Sequence, residues 1–357
     1  MIQITKTQIE MALKHVMDPD LGNNLIDLNM IENIAIDGKK VSFDLVLTTS
    51  GCPMQHKMKE DCVNAIHQLV DRDAEVTVNL TARPTRLPDP KAEFPHIKHT
   101  ILVASGKGGV GKSTVAANLA IALARTGAKV GLVDADIYGP SVPTMFHIEA
   151  EDIYGEMHEG KEYMVPVEKY GIKLMSIGFL VDSGKALVWR GPMASSALKQ
   201  LLTQTWWGEL DYLVADMPPG TGDVQLTIAQ TLPCTGVVMV STPQQVAIAD
   251  VTRAAEMFAM DGINIPILGF VENMAYFTPA ELPNHKYYIF GNGGCKKLAE
   301  DMQRPVLGEI PLVQSIAESG DLGKPVALWN EKPTPESEAF MELANNVIRE
   351  VCKLENK

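Results

Sequence analysis

The chain has 357 residues, more than one ordinary small domain needs, so two domains are expected. Its formal net charge is −13, from 31 Lys and Arg against 44 Asp and Glu, which argues against a general nucleic-acid binder with a broad basic face. The N-terminal MIQITKTQIE has no apolar signal core, no apolar run approaches the ~20 residues that span a bilayer, and the five cysteines are scattered and odd in number. The expectation is a cytoplasmic protein without disulfides or a membrane segment.

In chain order, residues 1–82 read as a small α/β domain. Thr7–Val16 has helical spacing. Met30–Ile36 and Lys40–Leu47 alternate like strands around Asp37-Gly38, a hairpin signal. A second helix is expected over Met54–Val70 and a last strand over Glu75–Leu80. Cys52 stands at the start of that second helix, where a thiol pKa falls and thiolate chemistry is favoured; a buried structural cysteine is the alternative. Pro84, Pro88, Pro90 and Pro95 then crowd a stretch that can be neither helix nor central strand, so residues 83–97 read as a linker.

Residues 98–357 alternate strand-like and helical stretches. The expected strands are 99–104, 128–133, 172–177, 211–215, 236–241, 266–271 and 305–310. Such alternation implies crossover connections and a doubly wound, mostly parallel α/β sheet, with ligands at the carboxyl ends of the strands. After the first strand comes Gly106-Lys107-Gly108-Gly109-Val110-Gly111-Lys112-Ser113-Thr114, which fits the phosphate-binding pattern Gly-x-x-x-x-Gly-Lys-Ser/Thr and runs into the Ala-rich helix Ser113–Arg125. Backbone N–H groups and the helix N-terminus face the phosphates there; Lys112 neutralises them and Ser113 holds magnesium. Lys107 reads either as a solvated lysine or as a group reaching the phosphate of a partner subunit.

The second strand ends in Asp134-Ala135-Asp136. Asp136 is placed to orient the attacking water, and Asp134 to order the magnesium shell or the loop. The fourth ends in Asp216, followed by Met217-Pro218-Pro219-Gly220-Thr221-Gly222-Asp223. That suits a magnesium-linked switch sensing the γ-phosphate, with Asp223 also readable as a helix cap. Asn273 follows the sixth strand, where it reads equally as a turn residue. Near the C-terminus, Phe340, Leu343, Val347, Ile348 and Val351 make a helical stripe opposite Glu338, Glu342 and Glu350. This is expected to be a packing helix, since membrane-surface helices are rich in cations.

The Gly106–Ser113 loop with its extra Lys107 resembles the deviant phosphate-loop ATPases: MinD, ParA, the nitrogenase iron protein and the Mrp/ApbC proteins. The segments Asp134–Pro143, Asp216–Asp223 and Glu272-Asn273-Met274-Ala275-Tyr276 narrow the resemblance to the Mrp/ApbC (Nbp-type) iron–sulfur cluster carriers. Asp18-Pro19-Asp20 and Thr48–Pro53 resemble the SufT-like domain that some of these proteins carry at the N-terminus. The resemblance implies a MinD-like P-loop NTPase, hydrolysis of ATP with Mg2+, and a homodimer around two ATP molecules with Lys107 acting in trans. It further implies Asn273 on the adenine edge, Pro311 against the ring, and transfer of iron–sulfur clusters to apoproteins among assembly proteins.

These carriers usually place a Cys-x-x-Cys pair between Asn-Met-x-Tyr and the next Phe-Gly. Here Phe277–Tyr287 contains no cysteine, leaving Cys295 and Cys52 as candidate cluster ligands, with His285 a weaker one. An ATP-gated scaffold of cluster assembly that binds no cluster is the alternative, and a MinD/ParA-like spatial organiser a more distant one.

Overall fold

The computed structural model describes residues 4–17, 24–27, 30–47, 55–82, 93–149, 151–158, 160–180, 191–279, 281–282, 284–328 and 333–355. The chain divides into two compact units, Met1–Asp89 and Pro90–Lys357. Cys52 and the Asp18–Asp20 and Thr48–Pro53 segments lie outside the described residues.

In the first unit, α1 (Lys6–Leu13) and α2 (Gln55–Leu69) accompany a three-stranded sheet of β1 (Ile31–Asp37), β2 (Lys40–Leu47) and β3 (Glu75–Ala82). Strands β1 and β2 form the expected hairpin, closed at Asp37↔Lys40 with Gly38 at φ +61°. Strand β3 returns parallel to β2, which requires the crossover that α2 supplies. Ile9, Leu13, Phe43, Leu45, Ile66 and Val78 fill the core. Cys62 is buried among them and its thiol is pushed up to about 12 by that burial, so it acts as a small apolar side chain.

The second unit is built on an eight-stranded sheet in the order β13-β12-β11-β4-β10-β5-β9-β8. Its strands are β4 (Ile97–Ala104), β5 (Val130–Asp134), β8 (Val167–Lys169), β9 (Ile172–Ser176), β10 (Leu210–Asp216), β11 (Cys234–Ser241), β12 (Ile267–Glu272) and β13 (Val306–Glu309). All pair in parallel except β8, which is antiparallel to β9 at the edge. The seven expected strands are present, with ends shifted by one or two residues. The edge strand β8 and the hairpin of β6 (Gly155–His158) and β7 (Lys161–Met164) carried no readable signal. They are three or four residues long, and the hairpin is partly or wholly exposed, so no apolar alternation develops.

Alternate residues of the parallel strands feed two helical layers. Leu102 and Ala104 join Leu198 of α5 (Gly191–Thr203), Ile228 of α6 (Asp223–Thr231), Phe258 of α7 (Gln245–Ala259) and Leu298 of α8 (Gly294–Asp301). Ile101 and Val103 join Leu119 of α3 (Lys112–Arg125) and Phe340, Leu343 and Val347 of α10 (Pro335–Glu355). The C-terminal stripe is therefore core. Among the described residues no helix is long and apolar enough to cross a membrane. Two short helices, α4 (Val142–Met145) and α9 (Gln314–Asp321), complete the unit.

Of the expected linker 83–97, residues 83–92 lie outside the described residues. Phe94 is only 6% exposed and packs in the core of the second unit, so the packed chain begins before residue 98. The proline-rich composition masked the burial of one aromatic side chain in its last residues.

Candidate functional site

The topology brings the carboxyl ends of β4, β5, β10 and β12 together, since β4 and β10 are neighbours and β5 lies beyond β10. The loop after β4 is shaped by its glycines. Gly111 has φ +80°, and a side chain there would meet Asn273 Nδ2 at 2.2 Å. At Gly106 a Cβ would lie 2.1 Å from the Asp250 carbonyl carbon of α7. Two side chains hold the loop from below: Ser105 Oγ donates to the Lys107 carbonyl at 2.9 Å, and Asn273 Nδ2 donates to the Val110 carbonyl at 2.8 Å. Helix α3 starts at Lys112, so its free N–H groups open onto this loop.

Lys112 is 6% exposed. Its ammonium donates to Asp216 Oδ1 at 2.7 Å and to Ser113 Oγ at 3.1 Å, and lies 3.5 Å from Asp136 Oδ2. Burial raises the Asp216 pKa, opposed by the Lys112 charge. Its Oδ2 is buried and has no hydrogen-bond partner among the described residues. An orphaned carboxylate oxygen beside a serine hydroxyl fits a magnesium ion that keeps several of its waters.

The contacts of Asp134 favour the second of its two expected parts, ordering the loop. It is fully buried, and both of its oxygens are engaged: Oδ1 by the Asp136 N–H at 3.2 Å, Oδ2 by the Val142 N–H at 3.0 Å and the Ser176 hydroxyl at 3.1 Å. It ties the loop between β5 and α4 and so aims Asp136. Burial, reinforced by the Asp216 charge, pushes it up to about 7.

A cavity of about 240 Å³ borders Lys107, Gly108, Lys112, Ser113, Asp136 and Pro219. A second, of about 400 Å³, borders Asn118, Asn273, Pro311, Val313, Ile316 and Asp321. Gly111, Thr114 and Met145 line both, so the two are halves of one cleft. The first half suits phosphates; the second, with its apolar wall, suits a nucleoside. Asn273 lines that second half, but its amide N–H₂ is engaged by Val110, so it couples the nucleoside end to the phosphate loop. Lys107 sits half-buried at the mouth, and among the described residues its ammonium has no partner.

Gln225 was not legible in the sequence, where it is one more polar residue of a helix. In the structure it is buried and clamps the loop after β10. Its Oε1 accepts from the Gly222 N–H at 2.9 Å, and its Nε2 donates to the carbonyls of Pro218 at 3.3 Å and Pro219 at 2.5 Å. The Gly220 N–H in turn donates to the Ser105 carbonyl at the base of the phosphate loop, 3.1 Å away. Gln225→Ala removes the clamp without touching the cleft. The expected outcome is about a tenfold loss of kcat with nucleotide affinity changed less than about threefold, checked by steady-state turnover and calorimetric titration.

The surroundings of Cys295 argue against its reading as a cluster ligand. It is fully buried in the core at the first turn of α8; its N–H donates to Glu272 Oε2 at 2.8 Å, and burial raises the thiol pKa, reinforced by the Glu272 charge. The start of α8 is capped by a buried carboxylate, which opposes the lowering of a thiol pKa that a helix N-terminus would otherwise bring. Around His285, Phe277 and Tyr287 exchange backbone hydrogen bonds at 2.8 Å and the Lys286 ammonium lies 3.6 Å from the centroid of the Tyr276 ring. Among the described residues no group of three or more His, Cys, Asp or Glu side chains is arranged to hold a metal.

Comparison with known proteins agrees with this architecture. Residues 96–348 match the family model of the NUBPL iron-transfer P-loop NTPase, and residues 6–78 that of an iron–sulfur cluster assembly protein. The chain is 43% identical to an iron–sulfur cluster carrier protein of Synechocystis over 98% of both chains. A nucleotide-binding protein of Archaeoglobus fulgidus, solved with ADP, superposes with a TM-score of 0.59 at 38% identity, covering 71% of this chain and 96% of that one. The cell division ATPase MinD of Pyrococcus furiosus shares the fold, with a TM-score of 0.50 at 21% identity, over 71% of this chain and 99% of that one.

Proposed function

The chain belongs to the NUBPL iron-transfer P-loop NTPase family, and from that premise we propose that it is a magnesium-dependent ATPase that carries iron–sulfur clusters to apoproteins as a cytoplasmic homodimer. One observation carries the nucleotide part: a buried Lys112 held between Asp216 and Asp136 at the mouth of a helix N-terminus, beside a cleft with a phosphate-sized and a nucleoside-sized half. Residues 1–82 are read as the assembly domain. The ATPase domain is read as beginning before Phe94, and no nucleic acid or membrane partner is included.

The chemistry follows from that arrangement. Ser113 and, through water, Asp216 would hold magnesium, which supplies charge neutralisation at the phosphate oxygens. Lys112 exchanges its carboxylate partners for the β and γ phosphates, and Asp136, released from the ammonium, orients the attacking water. Lys107 reaches the γ-phosphate of the partner subunit and adds positive charge where negative charge develops. Asp136→Asn is expected to leave ATP affinity within about threefold and to lower turnover about 100-fold, read by phosphate release against calorimetric Kd. Turnover equal to wild type would remove Asp136 from this role.

The cluster is cargo, and Cys52 is the ligand we assign to it. A second reading is favoured by the burial of Cys295 and the absence of cysteine from residues 277–287: an ATP-gated scaffold that holds no cluster. Anaerobic reconstitution with iron and sulfide, followed by visible absorption and iron counting, separates the two. Carriage predicts a chromophore near one cluster per dimer, lost in Cys52→Ala and kept in Cys295→Ala. An ATPase-competent wild type that takes up no iron would establish the scaffold reading.

A further inference from the structure

The nucleoside half of the cleft has an uneven chemistry. Its wall is largely apolar, with Ala117, Pro311, Leu312, Val313, Ile316 and Ala317, and among the described residues Asp321 is the one ionisable residue lining it. Asp321 stands exposed at its edge, and among the described residues its carboxylate has no hydrogen-bond or ion-pair partner. Ser141 Oγ, in the same wall, is buried and also without a partner among the described residues.

The backbone beneath Asp321 is fixed. His147 Nε2 donates to the Asp321 carbonyl at 2.8 Å, and the Tyr170 hydroxyl donates to the Gly323 carbonyl at 2.9 Å. Gly323 has φ +67° and lies so close to His147 that a Cβ would stand 2.5 Å from the imidazole Cγ. Asp321 is therefore an acceptor without a partner among the described residues, on a backbone held by His147, facing a cavity that no other charged described residue lines.

We propose that Asp321 is a specificity-determining residue that accepts hydrogen bonds from the ribose 2′- and 3′-hydroxyls and so restricts the site to ribonucleotides. The proposal rests on the reading of the cleft as a nucleotide site and names the part of the ligand that its far end recognises. Division of labour within a nucleoside supports the sugar over the base. A purine plane matches the apolar wall, while the vicinal diol carries two donors and stays near the solvent-facing rim where the carboxylate stands. A carboxylate has acceptor capacity for both hydroxyls, and bonds to a charged acceptor are stronger than neutral ones. The same charge repels a sugar that carries an additional phosphate.

The test is calorimetric titration of the full chain with ATP, 2′-deoxy-ATP, 3′-deoxy-ATP and GTP, on wild type, Asp321→Ala and Asp321→Asn. The wild type is expected to bind ATP about tenfold more tightly than either deoxy analogue. Asp321→Ala should weaken ATP about tenfold, leave the deoxy analogues unchanged and bring the ratio to about one, with Asp321→Asn in between. Tight ATP binding with equal affinity for the deoxy analogues, or a ratio retained in Asp321→Ala, overturns this proposal alone. A change confined to the ATP-to-GTP ratio also overturns it, because the carboxylate would then read the base. No nucleotide binding by the wild type would overturn the site reading itself, and this proposal with it.

Discussion

Lys112→Ala is expected to abolish measurable ATP binding, a loss of about 100-fold or more, and also to destabilise the second unit by about 3 kcal/mol. The two effects have different causes. Binding fails because the phosphates lose the buried Lys112 ammonium at the helix start. Stability falls because the Lys112 ammonium is the partner of Asp216 Oδ1 at 2.7 Å and lies 3.5 Å from Asp136 Oδ2, so its removal leaves buried carboxylate charge uncompensated. The double variant Lys112→Ala/Asp216→Asn separates them: it should recover most of the lost stability in urea unfolding while binding stays absent in calorimetry. If the double variant were as unstable as the single one, the ion pair would not be the source of the loss.

Gly106→Ala should be nearly as damaging, for a steric reason. A Cβ at residue 106 would stand 2.1 Å from the carbonyl carbon of Asp250 and 2.3 Å from the amide nitrogen of Val251, both in the backbone of α7. No rotamer change relieves a contact with helix backbone, so either the loop or the helix must move. We expect a loss of about 3 kcal/mol in denaturant unfolding and at least about a 100-fold loss of nucleotide affinity. Gly108→Ala is the control. Its Cβ would find nothing nearer than Pro219 Cγ at 4.0 Å, so stability should stay within about 0.5 kcal/mol of wild type. Equal tolerance at both positions would show that the approach of α7 does not constrain the loop.

Both predictions depend on contacts that the sequence did not display. Lys112 and Asp216 are 104 residues apart, and Gly106 lies in the loop after β4 whereas Asp250 lies within α7. What makes them neighbours is the strand order, which sets β10 beside β4 and brings α7 against the loop after β4. A phosphate loop can be recognised from eight consecutive residues because its chemistry is local: glycines for the turn, a lysine and a serine at the helix start.

The sequence alone determined what is encoded within a few residues or a regular period. That covers the seven parallel strands, the two helices of the first unit, the phosphate loop and the C-terminal packing helix, because alternation, helical spacing and turn glycines act on neighbouring backbone. It also determined which carboxylates end strands. Only the tertiary structure decided what each does there. Asp134 and Asp136 are near-identical in sequence context. One is saturated by two backbone N–H groups and a serine hydroxyl; the other faces the cation. Cys295 and Phe94 are both buried by the packing of distant elements, which neither local sequence displays. Gln225 and Asp321 carry no motif, and their roles arise from the loop one clamps and the cavity the other lines. Propensity and spacing are properties of short chain segments. Burial, desolvation and the pairing of charges depend on which segments the fold brings together, and that is where the chemistry of this site was settled.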